Sequence, residues 1–262
     1  MARFGLAWAR MSELDVIISA SEPRYWVMLL SCTAIGIMAI RYFSRHLQGN
    51  MRAVKGLGIF MLSLQASDLI LALFHPEIGF SIHRSLPLHF CGLNTLLIGL
   101  NCFWMNRAVF SFTTFMGMIG GAHSVLTPQL PSGDLLPLLI LFYVKHAALV
   151  FVPIIIARTC NLHFKRFDWI RTYGWAVLLS TIVMGFNALL NLRFPHPEGA
   201  IANYMYVWEA PVADNPLIFD WPWPWYLAPL HVALLVHLIL LNAAFRIWHP
   251  DTNSAIPTKW YE

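Results

Sequence analysis

An all-α polytopic bundle of about seven transmembrane helices, with the N-terminus outside and the C-terminus cytoplasmic, is the fold class this sequence predicts. Three observations carry that reading. Of 262 residues, 58% are hydrophobic and only 11% charged, whereas soluble domains carry roughly a quarter charged residues. Mean hydropathy is +0.60, and the apolar residues lie in runs of about 20, the length that crosses about 30 Å of hydrocarbon. Lipid cannot satisfy free backbone N–H and C=O groups, and no run shows the period-2 alternation of a membrane barrel strand, so the runs are helices. Residues 1–262 are read as a single integral, multi-pass membrane domain, in the cytoplasmic (inner) membrane if the source is bacterial.

The runs follow in order. Tyr25–Phe43 leads into a loop region carrying Arg41, Arg45, Arg52 and Lys55; Val54–Phe74 holds Asp68 late in its length. Pro87–Trp104 opens with His89 and Cys91, and Arg107 separates it from Ala108–Leu126, which carries His123 near its end. Leu135–Ala157 contains Lys145 and His146 and is followed by Arg158, Lys165, Arg166 and Arg171. Thr172–Leu192 contains Asn187, and Trp225–Ile247 contains His231 and His237, with Arg246 and Lys259 at the C-terminus. Short cytoplasmic loops concentrate Lys and Arg. The proposed orientation puts eleven such cations inside and five outside, the latter being Arg3, Arg10, Arg24, Arg84 and Arg193.

Topology thus accounts for the net charge of +4, and the cations beside membrane ends form no basic stripe, which argues against nucleic acid as a partner. The first 24 residues include Glu13, Asp15 and Glu22 and do not read as a cleavable signal, so the first span serves as the targeting signal. Cys32, Cys91, Cys102 and Cys160 show no CxxC spacing and suggest no disulfide framework. No internal repeat is apparent, and the sequence carries no signal for an oligomeric state.

One connection, Asn191–Trp225, is too long and aromatic for a plain linker. Its Trp221, Trp223, Trp225 and Tyr226 suit an interfacial belt. The sharper reading is a cap over a pocket, made stiff and extended by Pro222 and Pro224. The stretch His249–Glu262 reads as a short polar tail.

Ionisable side chains within a bilayer are expensive and mark candidate sites. Asp68, His89, Cys91, His123 and His231 all fall toward the outer leaflet in this topology, on the same side as the aromatic connection. His146 lies about 11 residues into its span, about 16 Å deep. A thiol near an imidazole is the minimum kit for nucleophilic acyl chemistry, and Cys91 with His146 could form it across the third and fifth spans. A metal site built from His89, His123, His231 and Asp68 has suitable ligand types but no supporting spacing, so neither metal nor cofactor is expected. Asn94, Asn101 and Asn187 read as interhelical glue, Gly120–Gly121 as a place for helices to approach closely, and Lys145 as either a cavity-lining cation or an ion-pair partner of Asp68.

The runs LPLHFCGLNT (Leu86–Thr95), GMIGGAHSVLTPQLP (Gly117–Pro131), FYVKHAAL around His146, NYMYVWEAP (Asn203–Pro211) and PWPWY (Pro222–Tyr226) resemble, in this order, the motifs of the YwaF-like integral membrane proteins. The resemblance covers about residues 68–226. The animal relatives of that family look like cysteine-dependent acyltransferases that place polyunsaturated acyl chains on lyso-ether phospholipids. By motif position the resemblance implies Cys91 as the essential cysteine and His146 as the essential histidine, and a fold like that of the androgen-induced membrane hydrolases. Where the family often has Gly-Thr before the Asn-Tyr pair, this chain has Ile201–Ala202.

The expected function is therefore a membrane-embedded phospholipid acyltransferase or lipase-like acyl hydrolase. Cys91 and His146 are its catalytic pair, His89, His123, Asn203 and Tyr204 are substrate-binding or orienting residues, and a phospholipid or lysophospholipid is the substrate. The alternative is a non-enzymatic transporter or receptor with a proton or solute path through Asp68, Lys145 and His146.

Overall fold

The computed structural model describes residues 16–74, 79–130, 133, 135–197, 199–210 and 217–248. Arg3, Arg10, Lys259 and the stretch read as a polar tail lie outside them. Among the described residues the chain forms seven long helices: α1 (Pro23–His46), α2 (Met51–Phe74), α3 (Phe90–Trp104), α4 (Arg107–Leu126), α5 (Leu136–Cys160), α6 (Asp168–Arg193) and α7 (Leu227–Trp248). All seven expected spans are present as helices, so the chain is a polytopic helical bundle.

Local chemistry sets several boundaries. α1 starts at Pro23, whose missing N–H is no loss in a first turn. α4 is capped by Asn106, whose side-chain oxygen accepts from Val109 N–H at 3.1 Å. α5 ends on Asn161 in the left-handed conformation (φ 52°), a residue type that tolerates this region.

Helix ends group into two sets. At one end Gly49 N–H donates to Thr159 O at 2.7 Å, and buried Asp168 accepts from Arg107 Nη2 at 2.6 Å and from Lys165 N–H at 2.7 Å. Asn242 donates to Lys165 O at 3.1 Å, which ties α7 to this charge-rich end. At the opposite end two-residue strands β1 (Val16–Ile17) and β2 (Gln129–Leu130) pair antiparallel, and Tyr204 binds the segment before α3. The strand pair has no counterpart in the sequence reading, because two residues are too few to show a period.

α4 and α5 form the centre, with 56% of each spanning window buried inside the bundle, against 6% for α1 and 11% for α7. The many exposed apolar side chains of the outer helices, Trp26, Leu30 and Val232 among them, therefore face lipid. Helices approach most closely at glycines. Cβ atoms added at Gly58 or Gly99 would lie 2.7 Å from side-chain atoms of the facing helix, α3 or α2, and one at Gly121 would lie 2.5 Å from His146 O of α5.

Two expectations need correction. The third span is shorter than Pro87–Trp104: α3 has 15 residues, about 22 Å at 1.5 Å per residue. Leu86, the residue before Pro87, is biased away from helix, and residues 87–88 form a turn before the helix begins at Phe90. Nor is the Pro-Trp run extended. Trp225 N–H donates to Pro222 O and Leu227 N–H to Pro224 O, because proline's fixed φ suits turns as well as extended chain.

Candidate functional site

The short α3 positions the cysteine. Its first turn begins roughly 8 Å short of what a 30 Å core requires, at the end away from the charge-rich loops. His89 is the N-cap in extended conformation, with no side chain capping the turn. The N–H groups of Phe90, Cys91 and Gly92 thus belong to the orphan donors that every helix leaves at its start. Irregular backbone at such depth persists only where protein satisfies it, and here it does: Tyr204 Oη donates to Ile82 O at 2.8 Å and accepts from Leu86 N–H at 3.0 Å, and His83 Nε2–H donates to Phe194 O at 2.9 Å.

Cys91 is half-buried in that first turn. Its sulfur lies 3.8 Å from Ser124 Oγ and packs over Gly120, where an added Cβ would come within 3.3 Å of it. The neighbouring Gly121 meets the main chain of His146. The Cys91 sulfur and the His146 backbone therefore pack against the Gly120–Gly121 step of α4. No hydrogen bond joins them among the described residues; the sulfur's partner is Ser124 and the imidazole's is Phe142.

His146 Nδ1 lies 2.8 Å from Phe142 O. A carbonyl only accepts, so Nδ1 carries the proton and Nε2 holds the lone pair of the neutral ring. His89 has the reverse arrangement. Met205 N–H points at its Nδ1 from 3.3 Å, which leaves the proton on Nε2. The His89 ring is held between Tyr204 and Tyr206, with centroids 5.3 and 5.0 Å away.

The connection between α6 and α7 is built as a tied loop. Asn187 on α6 clasps the backbone of Tyr204, donating to its O at 3.0 Å and accepting from its N–H at 3.1 Å. Asn203 Oδ1 accepts from Trp208 and Glu209 N–H, and its Nδ2 donates to Glu209 O. Of the residues named from sequence as orienting groups, Asn203 is engaged wholly in its own loop, whereas Tyr204 supports His89. Burial pushes the Tyr204 and Tyr226 hydroxyls up to about 12, so both stay neutral and keep their proton for donation. Tyr226 donates to Tyr206 O at 2.7 Å. Trp221, Trp223 and Trp225 point outward at 49%, 58% and 66% exposure, the disposition of an interfacial belt.

The remaining polar residues sort into pairs. Lys145 is ion-paired with Asp68, and the two lie within electrostatic reach of Cys91. His123 faces His237 edge to face at 5.1 Å, and Tyr173 Oη lies 3.2 Å from His231 Nδ1. Among the described residues no three His, Cys, Asp or Glu side chains converge as a metal set. A cavity of about 10 Å³, lined by Ile98, Asn101, Phe110, Thr113, Pro153 and Ile156, lies toward the charge-rich end and holds one water at most.

Ser124 and Gln65 were missed from sequence. Ser124 sits four residues after Gly120, so helical spacing brings both to Cys91, but only knowledge of which helix faces α3 reveals it. Gln65 on α2 reaches the first turn of α3, its Oε1 lying 3.4 Å from where a Gly92 Cβ would be.

The model of the TMEM164 family matches residues 19–242 of the chain. No curated protein and no solved structure matches the chain.

Proposed function

The chain belongs to the TMEM164 family, and we propose that it is a membrane-embedded acyl-transfer enzyme acting on phospholipids, with Cys91 as nucleophile and His146 as general base and acid. The observation that carries the proposal is the Gly120–Gly121 step. It brings an uncapped helix start bearing a thiol, a hydroxyl partner for that thiol, and the turn of a histidine whose Nε2 is unprotonated to one place in the bundle. The motif resemblance to cysteine-dependent acyltransferases points to the same two residues.

In this mechanism His146 Nε2 takes the thiol proton and the sulfur attacks the ester carbonyl of a donor phospholipid. The C–O bond breaks, the departing lysophospholipid alkoxide takes the proton back from the imidazolium, and the acyl group remains on sulfur as a thioester. An acceptor hydroxyl then attacks the thioester while Nε2 takes its proton. The sulfur leaves and is reprotonated, which closes the cycle. N–H groups of the α3 first turn are the candidate donors to the oxyanion of both tetrahedral intermediates. His89, with its proton on Nε2, is a further donor at the start of the same helix. A site on the half of the bundle away from the cytoplasmic charges would receive lipids from the outer leaflet without drawing their chains through water.

The test is transfer of a labelled acyl chain from phosphatidylcholine to a lysophospholipid in nanodiscs. Cys91→Ala abolishes it, and His146→Ala lowers it by about 10²–10⁴-fold, the usual worth of a general base. Transfer at the wild-type rate in either variant removes the mechanism.

A further inference from the structure

Buried polar atoms without partners are rare in native proteins and ask for an explanation. Gln65 Oε1 is one. It is shielded from the surface and has no hydrogen-bond partner among the described residues, and the side chain as a whole makes no hydrogen bond there. A buried acceptor left unmade costs about 1–3 kcal/mol, and lipid surroundings offer no water to relieve it.

Its position gives the unpaired acceptor a meaning. Gln65 lies one helical turn before Asp68, whose carboxylate pairs with Lys145 of α5. Its oxygen sits over Gly92, the residue after Cys91, in space that any side chain at Gly92 would narrow. Pro87 Cα bounds the same space, 3.1 Å from the Gly92 Cβ position. An unengaged carboxamide therefore stands beside the uncapped turn that bears the nucleophile.

We propose that Gln65 binds and orients the acceptor alcohol that removes the acyl group from Cys91. The proposal rests on the thioester reading above. Chemistry selects the ligand: a carboxamide offers an acceptor and donors, and a hydroxyl satisfies either end, whichever way the amide is turned. Esters and phosphodiesters only accept, so they satisfy this position in one orientation of the amide, whereas a hydroxyl satisfies it in both. Holding the hydroxyl oxygen near the thioester carbon makes transfer to an alcohol faster than loss to water, by positioning alone. Gln65 thereby biases the site toward transfer over hydrolysis.

The two half-reactions separate this role from the mechanism it rests on. Full-length protein in nanodiscs is charged with a radiolabelled acyl chain from phosphatidylcholine, and the hydroxylamine-sensitive label on Cys91 is measured. 1-Acyl lysophosphatidylcholine is then added and the discharge rate followed. Gln65→Leu is expected to charge at the wild-type rate but to discharge to the lysolipid about 10–100-fold more slowly, the equivalent of one hydrogen bond in a buried site, with discharge to water unchanged. Gln65→Asn, which keeps an uncharged carboxamide head, discharges faster than Gln65→Leu. Equal discharge by Gln65→Leu and wild type overturns the acceptor role while the thioester mechanism stands. Loss of charging in both variants also overturns it, by moving Gln65 to the first step or to folding. A wild-type protein that never forms the thioester overturns both readings together.

Discussion

Adjacent glycines on α4 should respond oppositely to the same substitution. In Gly121→Ala the new methyl would stand 2.5 Å from His146 O and 3.0 Å from both Leu149 Cβ and Val150 Cγ2. The first of these is helix backbone, which cannot rotate away, so α4 and α5 must separate by roughly 1 Å to restore a van der Waals contact of about 3.5 Å. Overpacking of that kind costs about 1–3 kcal/mol. For a chain of this size each kcal/mol lowers the melting temperature by about 2–4 °C, so a fall of roughly 2–12 °C is expected in a detergent or nanodisc thermal scan. In Gly120→Ala the methyl meets only the Cys91 sulfur, at 3.3 Å, and a side chain can shift by the few tenths required. That variant should melt within about 1–2 °C of wild type while changing the alkylation rate of Cys91. Equal melting temperatures for the two variants would refute the claim that the α4–α5 seam is set at Gly121. An unaltered thiol rate in Gly120→Ala would detach the sulfur from that step.

Three further outcomes are expected. Asp68→Asn strands the Lys145 ammonium and Lys145→Met strands the Asp68 carboxylate, each inside a spanning helix. Either change should lose about 3–5 kcal/mol, with the double variant more stable than each single one in a thermal scan. Tyr204→Phe removes the hydroxyl joining Ile82 O to Leu86 N–H and should speed hydrogen exchange in residues 79–89, with a loss of about 1–3 kcal/mol. Burial raises that hydroxyl from 10.0 to about 12, so its contribution is complete below pH 10 and fades only as pH rises toward 12. Wild-type protection that declines between pH 6 and 9 would contradict it. Ser124→Ala removes the sulfur's partner and should slow Cys91 alkylation by about 5-fold, near 1 kcal/mol, leaving Cys32 and Cys160 rates unchanged.

The bundle was legible because its physics is local. Twenty apolar residues in a row with cations at alternate ends admit few structures other than antiparallel spanning helices, and all seven runs became helices within about four residues of their expected bounds. Both fold corrections fall at prolines, which act through geometry that hydropathy does not register. Pro87 is apolar enough to extend a hydrophobic run, yet it sits in a turn that precedes the start of α3 at Phe90. Pro222 and Pro224 fit either extended chain or turns, and contacts of Trp223 and Tyr226 with the loop at Tyr206 and Val207 accompany the turns. The site was legible in depth but not in azimuth. Sequence placed His89, Cys91 and His123 at similar heights, but which of them face one another depends on helix rotation. Packing pairs His123 with His237 and His89 with the tyrosines, and brings in Ser124 and Gln65 from faces no periodicity marked.

These two levels of order meet at the start of α3. A helix that spanned the full thickness would place its unpaired N–H groups at the headgroups, where water satisfies them. Ending it early places them inside the bundle, where each must be answered by protein or by something bound. Tyr204 answers the loop before the helix, His83 ties that loop to Phe194, and Asn187 holds the Tyr204 backbone in place. They leave the first turn itself, the Cys91 thiol and the Gln65 carboxamide without a common partner. That division has a simple test in the Tyr204→Phe variant: if the loop exists to hold the first turn in place, acyl transfer should fall together with protection of residues 79–89. If it is only a structural cover, protection should fall while transfer persists.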